Sequence, residues 1–206
     1  MTIIDLNNVV KYYGRQLVLD HLTFSFQTGK VYLLTGENGT GKTTLIKAIL
    51  QLIHLDEGFI LVKTKQIGYV PEKINVPEFV RIFPFLEKLA LIKKVDSGSV
   101  VDVVEFYLEK WGLLMQKNNF VKTLSKGMLQ KLLLIQAFFS NPHLLIFDEP
   151  LNGLDETAQK LFFREIKKEK SYLKTIIIST HYPHYYQEIV DHFLTIHHGK
   201  LDEKHN

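Results

Sequence analysis

The chain has 206 residues, and 46% of them are hydrophobic, 23% charged and 12% aromatic, which is typical of a folded domain with a sizeable core. Lysine and arginine number 25 and aspartate and glutamate 22, so the small formal charge of +3 gives no reason to expect nucleic acid as a partner. Cysteine is absent from the sequence, which excludes disulfides, thiolate zinc sites and cysteine nucleophiles.

The apolar segments are too short to span a membrane, which takes about 18 or more apolar residues in succession. The segment Phe79–Ile92 is among the most apolar, yet it carries Arg81, Glu87 and Lys88. The N-terminus lacks a basic start followed by an apolar segment and a small-residue cleavage site. We therefore expect a chain that stays in the cytoplasm and does not cross a bilayer.

The first 35 residues predict β structure, because short apolar segments alternate with turn residues. The pattern places strands at Ile3–Leu6, Leu17–Leu19 and Leu22–Phe26. Val31–Leu34 is an unbroken apolar run, typical of a strand buried on both faces of a parallel sheet. A glycine-rich turn follows it, and then a predicted helix at about Thr43–Gln51.

Strand signals fade between about residues 77 and 141, where apolar residues recur at helical spacing in Val100–Trp111 and Met128–Phe139. This segment is predicted to be a helical insertion. Strands and helices then alternate again, which favours a parallel sheet. The expected elements are a strand at His143–Phe147, a helix at about Glu156–Lys170, a strand at Thr175–Ser179, a helix at about Pro183–Val190 and a strand at His192–His197.

The segment Gly36–Thr43 fits the phosphate-binding loop pattern in full and lies between a buried strand and a helix, as that loop requires. Its glycines let backbone N–H groups turn toward a β-phosphate. Lys42 is expected to reach the β- and γ-phosphates, and the Thr43 hydroxyl is expected to ligate Mg²⁺. The predicted nucleotide-binding residues are Gly36, Glu37, Asn38, Gly39, Thr40, Gly41, Lys42, Thr43 and Thr44. The alternative is a plain glycine turn at a helix start.

A second apolar strand ends on two adjacent carboxylates, Asp148 and Glu149. We expect Asp148 to hold Mg²⁺ and Glu149 to act as the general base that polarises the attacking water. Acidic residues at strand ends also cap helices, so on their own the two carboxylates are weak evidence for a catalytic site. Together with the phosphate loop they become strong evidence. From the residues alone the chain is predicted to be a Mg²⁺-dependent P-loop NTPase.

Leu124–Met128 reads Leu-Ser-Lys-Gly-Met and resembles the signature of the nucleotide-binding domain of ATP-binding cassette (ABC) proteins. The likeness runs from about residue 3 to residue 200, with the motifs in the family's order. It implies that Ser125 and Gly127 contact the γ-phosphate of a nucleotide held by the opposite subunit. Lys126 and Met128 depart from the common Leu-Ser-Gly-Gly-Gln form. Ser125 is also a credible N-cap for the helix that follows, and a cap alone is the alternative.

The same resemblance implies roles for four further residues. Tyr13, rather than its neighbour Tyr12, is similar to the aromatic residue that stacks on adenine, and His181 to the histidine that contacts the γ-phosphate and the general base. Asp155 resembles the aspartate of the loop linking the two subunits' sites, or it caps a helix. Glu72 stands where the family usually has a glutamine that ligates Mg²⁺. Its extra charge is predicted to hold Mg²⁺ more tightly and to resist closure.

Two aromatic clusters allow both structural and functional interpretations. His197 and His198 suggest a paired metal site, but without a third ligand they are expected to face solvent. Phe79, Phe83 and Phe85 are expected to lie in the core, although the family receives a helix of its membrane partner at this place.

These observations predict an α/β P-loop NTPase with a mainly parallel core sheet, an N-terminal antiparallel β subdomain and an inserted helical subdomain, as one ABC-type domain over residues 1–206. The resemblance implies the ATPase subunit of a membrane transporter, at the inner face of the cell membrane, with export as the expected direction. The resemblance also implies a homodimer, or a heterodimer with another ABC ATPase, and an integral-membrane partner subunit on a separate chain. The alternatives are an ABC ATPase that remodels a nonmembrane partner and an ATP-binding switch with little turnover.

Overall fold

The computed structural model describes residues 1–95 and 99–204. The strands are β1 Thr2–Tyr13, β2 Gln16–Gln27, β3 Val31–Thr35, β4 Glu57–Val62, β5 Ile67–Val70, β6 Leu144–Asp148, β7 Thr175–Ser179, β8 His192–His197 and β9 Lys200–Lys204. The α-helices are α1 Lys42–Ile49, α2 Ile82–Ile92, α3 Val100–Lys110, α4 Lys126–Phe138 and α5 Glu156–Ser171. Short 3₁₀ turns lie at Leu114–Gln116, Val121–Thr123 and Pro183–Tyr186.

The central sheet has six strands in the order β5-β6-β7-β3-β8-β9. All neighbours are parallel except β9, which runs antiparallel to β8. Every residue of β6 and β7 is buried, as expected for strands covered on both faces. Alternate β6 side chains enter different cores: Phe147 packs with the helices α2 to α5, and Ile146 packs with α1 and the second sheet. The predicted α/β class with a mainly parallel core sheet is confirmed.

The second sheet is antiparallel, in the order β2-β1-β4. Its first two strands replace the three short strands predicted for this region, because register shifts let β1 and β2 remain paired over 12 residues each. Asn8 lies at one such shift with a positive φ of 51°. Gly58 of β4 crosses there so closely that a Cβ would lie 2.2 Å from the Asn8 carbonyl oxygen.

Between β5 and β6 the chain forms α2, α3 and α4, with helices where Val100–Trp111 and Met128–Phe139 were predicted. Leu86, Val104 and Leu132, one from each helix, are fully buried in the same core as Phe147. Among the described residues, no helix combines the length and the apolar character that crossing a bilayer requires.

The prediction of a helix at Pro183–Val190 was wrong, since only the 3₁₀ turn Pro183–Tyr186 forms there. Tyr186 is fully buried with its ring edge-on to Phe163, at a centroid distance of 5.3 Å. The Ile189 N–H donates to the Tyr186 carbonyl, an i to i−3 bond that tightens the chain instead of extending an α-helix. Burial of the Tyr186 ring therefore overrides the helical spacing of the apolar residues.

Candidate nucleotide site

The loop from Gly36 to Gly41 joins β3 to α1 at the carboxyl edge of the central sheet. Gly36, Gly39 and Gly41 all have positive φ. At Gly36 a Cβ would lie 2.6 Å from the Ile196 carbonyl oxygen, so the loop can lie against β8 only with glycine at this position. No described side chain caps the start of α1 at Gly41. The first N–H groups of α1 thus remain available to an anion.

Lys42 is buried, and its ammonium group is held by the loop itself. The Nζ atom donates to the carbonyl oxygens of Gly36, at 2.7 Å, and of Glu37, at 2.9 Å. The Thr40 hydroxyl also donates to the Glu37 carbonyl, at 2.9 Å. These bonds fix a positive charge inside the curve of the glycine loop, where phosphate oxygens would be neutralised.

Asp148 is only 1% exposed, and two hydroxyl groups donate to its carboxylate. Thr43 Oγ1 donates to Oδ2 at 2.8 Å, and Ser179 Oγ donates to Oδ1. Ser179 is the residue paired with Asp148 across β6 and β7. Sequence reasoning missed this serine, and only the expected pairing of the two strand ends could have indicated it. The group of hydroxyl and carboxylate oxygens suits Mg²⁺, which prefers oxygen ligands.

A cavity of about 160 Å³ lies between the loop and the two strand ends. Its lining residues are Asn38, Gly39, Gly41, Lys42, Thr43, Thr44, Glu72, Asp148 and Glu149. The structure therefore brings together most of the predicted phosphate-loop residues and all three predicted Mg²⁺ ligands. A nucleotide bound with Mg²⁺ needs N–H groups and positive charge for its phosphates and oxygen ligands for the metal. The lining of this cavity offers all of these, so its residues fit both the nucleotide and Mg²⁺.

Glu149, which lines this cavity, contacts His181, which follows β7. Glu149 Oε1 lies 2.8 Å from His181 Nδ1. Glu149 is 7% exposed and has a φ of 51°, an unfavourable conformation for a residue other than glycine. Its N–H donates to the Ser179 carbonyl at 3.1 Å, which ties this backbone to the end of β7. The strained turn directs the carboxylate to the histidine that follows β7, and strain of this kind is concentrated at functional sites.

Ser125 and Gly127 lie at the start of α4 and do not line this cavity. The Ser125 hydroxyl caps α4 by accepting from the Met128 N–H at 3.2 Å. A Cβ at Gly127 would lie 2.4 Å from the Gly153 carbonyl oxygen, so the helix start packs tightly on the loop that follows Glu149. The signature serine is thus fixed at a distinct place from the phosphate loop of its own chain.

Asp155 caps α5 by accepting from the Ala158 N–H at 2.8 Å. Lys131 of α4 lies 2.8 Å from the other carboxylate oxygen, and this ammonium group, together with the Ala158 N–H, lowers the pKa of Asp155. The aspartate therefore acts as a helix cap and also joins α4 to the loop before α5.

Tyr13, the last residue of β1, is 49% exposed and lies under the Lys11 ammonium group, 5.7 Å from the ring centre. It is not among the residues that line the phosphate cavity. His197 and His198 are exposed and pack on each other at 4.1 Å. Within the described part of the chain, no three His, Asp or Glu side chains are arranged to hold a metal ion.

Residues 19–152 match the ABC transporter family. The chain is 32% identical to the Nod factor export ATP-binding protein I of Burkholderia orbicola, over 96% of this chain and 68% of that protein. It is 31% identical to the zinc import ATP-binding protein ZnuC of Wigglesworthia glossinidia brevipalpis, over 98% and 81%. A solved structure described as the ATP binding subunit of an ABC transporter superposes with a TM-score of 0.92 at 27% identity, covering 98% of this chain and 90% of that one.

The fold and the site define a P-loop ATP-binding cassette. The chain belongs to the ABC transporter family, as an ATP-binding protein of that family.

Proposed function

We propose that this chain is the ATP-hydrolysing subunit of a multi-subunit ABC transporter and that residues 1–206 form one cassette domain. The observation that carries the proposal is that Lys42, the Thr43–Asp148 pair and Glu149 line one cavity, with His181 in contact with Glu149. Binding, metal coordination and water activation are thereby assigned to adjacent groups in one cavity.

In this mechanism the glycine loop and Lys42 hold the triphosphate through N–H groups and one positive charge. Thr43, Asp148 and Glu72 would hold Mg²⁺, which when bound would supply positive charge that neutralises the phosphates. Glu149 accepts a proton from the attacking water. The Nδ1 contact with Glu149 leaves His181 Nε2 as the ring nitrogen available to the γ-phosphate.

The complete site is proposed to need two chains, as a homodimer or a heterodimer with another ABC ATPase. Support comes from the position of Ser125 and Gly127, which are fixed at the start of α4 and absent from the lining of the cavity of their own chain. Closure of two chains would place this helix start against the nucleotide of the partner. ATP then closes the dimer and hydrolysis opens it.

The transport partner is proposed to be an integral-membrane subunit at the inner face of the membrane, with this chain on its cytoplasmic side. Relatives named for transport support a membrane partner. For the direction we propose export, because a glutamate at the position of Glu72 resembles certain export-type cassettes and because one relative is named for Nod factor export. Because a relative of similar identity is named for import, uptake or release by vesicles holding the assembled complex is the measurement that tests the direction.

Lys42→Ala is expected to lower ATP affinity roughly ten- to a hundredfold, because hydrogen bonds to charged groups contribute about 1.5–3 kcal/mol. Lys47→Ala serves as the control, since Lys47 is exposed on the same helix. Binding of a fluorescent ATP analogue to both purified variants measures the effect. Equal affinity of the Lys42→Ala and wild-type proteins would contradict the proposed nucleotide site.

A contact surface for the membrane subunit is proposed around Phe79, which is 74% exposed, with Lys122 Nζ 4.7 Å from its ring centre. Phe83 and Phe85 pack against the core, as predicted, whereas the prediction that Phe79 lies in the core was wrong. Phe79→Ser is expected to weaken co-purification with the membrane subunit while leaving ATP binding unchanged. Phe59→Ser, at another exposed phenylalanine, is the control, and equal loss in both variants would remove Phe79 from the interface.

A further inference from the structure

The strand that leads to Glu72 is an edge strand. Within residues 1–95 and 99–204, β5 pairs only with β6 in the central sheet, so its other edge must find partners outside the sheet. The strand lies against α4, where a Cβ on Gly68 would come within 2.4 Å of the Ala137 carbonyl oxygen. The Gln136 Nε2 atom of α4 donates to the Tyr69 carbonyl at 2.6 Å. One amide side chain thus bonds α4 to the backbone of β5.

Lys93, directly after α2, fixes the orientation of this amide. Its Nζ atom donates to the Gln136 carbonyl at 2.6 Å and to Gln136 Oε1 at 2.9 Å. Because the ammonium group can only donate, the amide oxygen must face Lys93, and the NH₂ group must face Tyr69. Lys93 also lies over the Phe139 ring, 5.4 Å from its centre. Burial lowers the pKa of Lys93 to about 8.

Tyr69 in turn lies beside the proposed Mg²⁺ site. Burial, with the carboxylates of Asp148 and Glu72, raises the pKa of the Tyr69 hydroxyl to about 12. Glu72 itself follows β5 closely and lines the same cavity as Thr43 and Asp148. A shift of β5 along or away from α4 would therefore move Glu72 relative to Thr43 and Asp148.

We propose that Gln136 is a positioning residue for Mg²⁺ binding, which holds β5 so that Glu72 stays at the metal site, and that Lys93 orients its amide. The proposal rests on the proposed function, because it takes Glu72 as a Mg²⁺ ligand. Removing a group that orients a metal ligand, without itself binding the metal, typically lowers metal affinity roughly 10- to 100-fold.

The test uses Gln136→Met, which keeps the volume of the side chain and removes both polar contacts. Binding of a fluorescent ATP analogue to the purified chain is titrated at a series of Mg²⁺ concentrations. We expect unchanged binding without Mg²⁺ and a roughly tenfold higher Mg²⁺ concentration for half-maximal enhancement. In a Glu72→Ala background the same substitution should have no further effect, because the two residues act through one ligand.

Gln136→Glu and Lys93→Met supply two more independent variants. Gln136→Glu can still accept from Lys93 but cannot donate to Tyr69, so it should match Gln136→Met. Lys93→Met should shift the Mg²⁺ requirement in the same direction. Lys170→Met is the matched control, since Lys170 joins the Ile189 carbonyl, at 2.9 Å, and the Asp191 carboxylate, at 2.8 Å, in a similar bridge. It should lower thermal stability and leave the Mg²⁺ requirement unchanged.

The outcomes separate this proposal from the proposed function. A wild-type chain that binds no ATP analogue would contradict the function. Normal wild-type binding, with a Mg²⁺ requirement that is the same in the Gln136 and Lys93 variants as in Lys170→Met, would overturn the positioning role alone. A further tenfold shift in the Glu72→Ala background would also overturn it, because Gln136 would then act independently of Glu72.

Discussion

Replacing Glu149 by glutamine is expected to lower ATP turnover by a factor of roughly 10² or more while ATP affinity stays close to that of the wild type. The amide keeps the size of the carboxylate. Its oxygen can still accept from His181 Nδ1, which lies 2.8 Å from Oε1 in the wild-type structure. It cannot take a proton from water. The phosphate contacts of Lys42 and the loop remain, so the loss falls on the chemical step.

The variant should also accumulate as an ATP-bound dimer, because closure is retained and opening depends on hydrolysis. Phosphate release measures turnover, and size-exclusion chromatography with ATP and Mg²⁺ measures the dimer. Glu156→Gln, an exposed residue at the start of α5, is the matched carboxylate-to-amide control. Full turnover by a Glu149→Gln protein that stays monomeric would overturn both the general base and the proposed two-chain site.

The sequence predicts the centre of this fold well because the central strands are buried on both faces. Such strands consist mainly of consecutive apolar residues, so β3, β6 and β7 can be found from short apolar runs in the sequence. In a parallel sheet their carboxyl ends lie at one edge, which is why Asp148 and His181 could be expected beside the phosphate loop. The phosphate-loop motif and the parallel topology therefore both place the site at the carboxyl edge of the central sheet.

Peripheral elements were harder to predict, since tertiary contacts determine them. β9 is the polar segment Lys200–Lys204, which forms a strand because it pairs with the edge of β8. The short turn at Tyr186 depends on a ring buried against Phe163. Likewise, the bridge from Lys93 through Gln136 to the Tyr69 carbonyl joins residues far apart in sequence, and no local pattern indicates it.

Ser125→Asp is expected to abolish ATP-driven dimerisation while leaving thermal stability and ATP binding by the single chain almost unchanged. The Ser125 hydroxyl caps α4, and aspartate caps a helix about as well as serine. In the proposed dimer the same side chain faces a γ-phosphate. Two like unit charges about 4 Å apart at an effective dielectric of about 20 repel by about 4 kcal/mol, a factor of roughly 10³ in dimer affinity.

Ser125→Asn separates the two roles of this residue, because asparagine caps the helix without adding a charge and should weaken dimerisation less. Ser99→Asp is the matched control: Ser99 caps α3 by accepting from the Asp102 N–H at 3.4 Å, so it too gains a carboxylate at a helix start. Thermal unfolding, nucleotide affinity and dimer mass, each measured in the Glu149→Gln background, distinguish the variants. If Ser125→Asp dimerised as readily as Ser99→Asp, the serine would be a helix cap only, because a triphosphate facing that carboxylate would oppose closure.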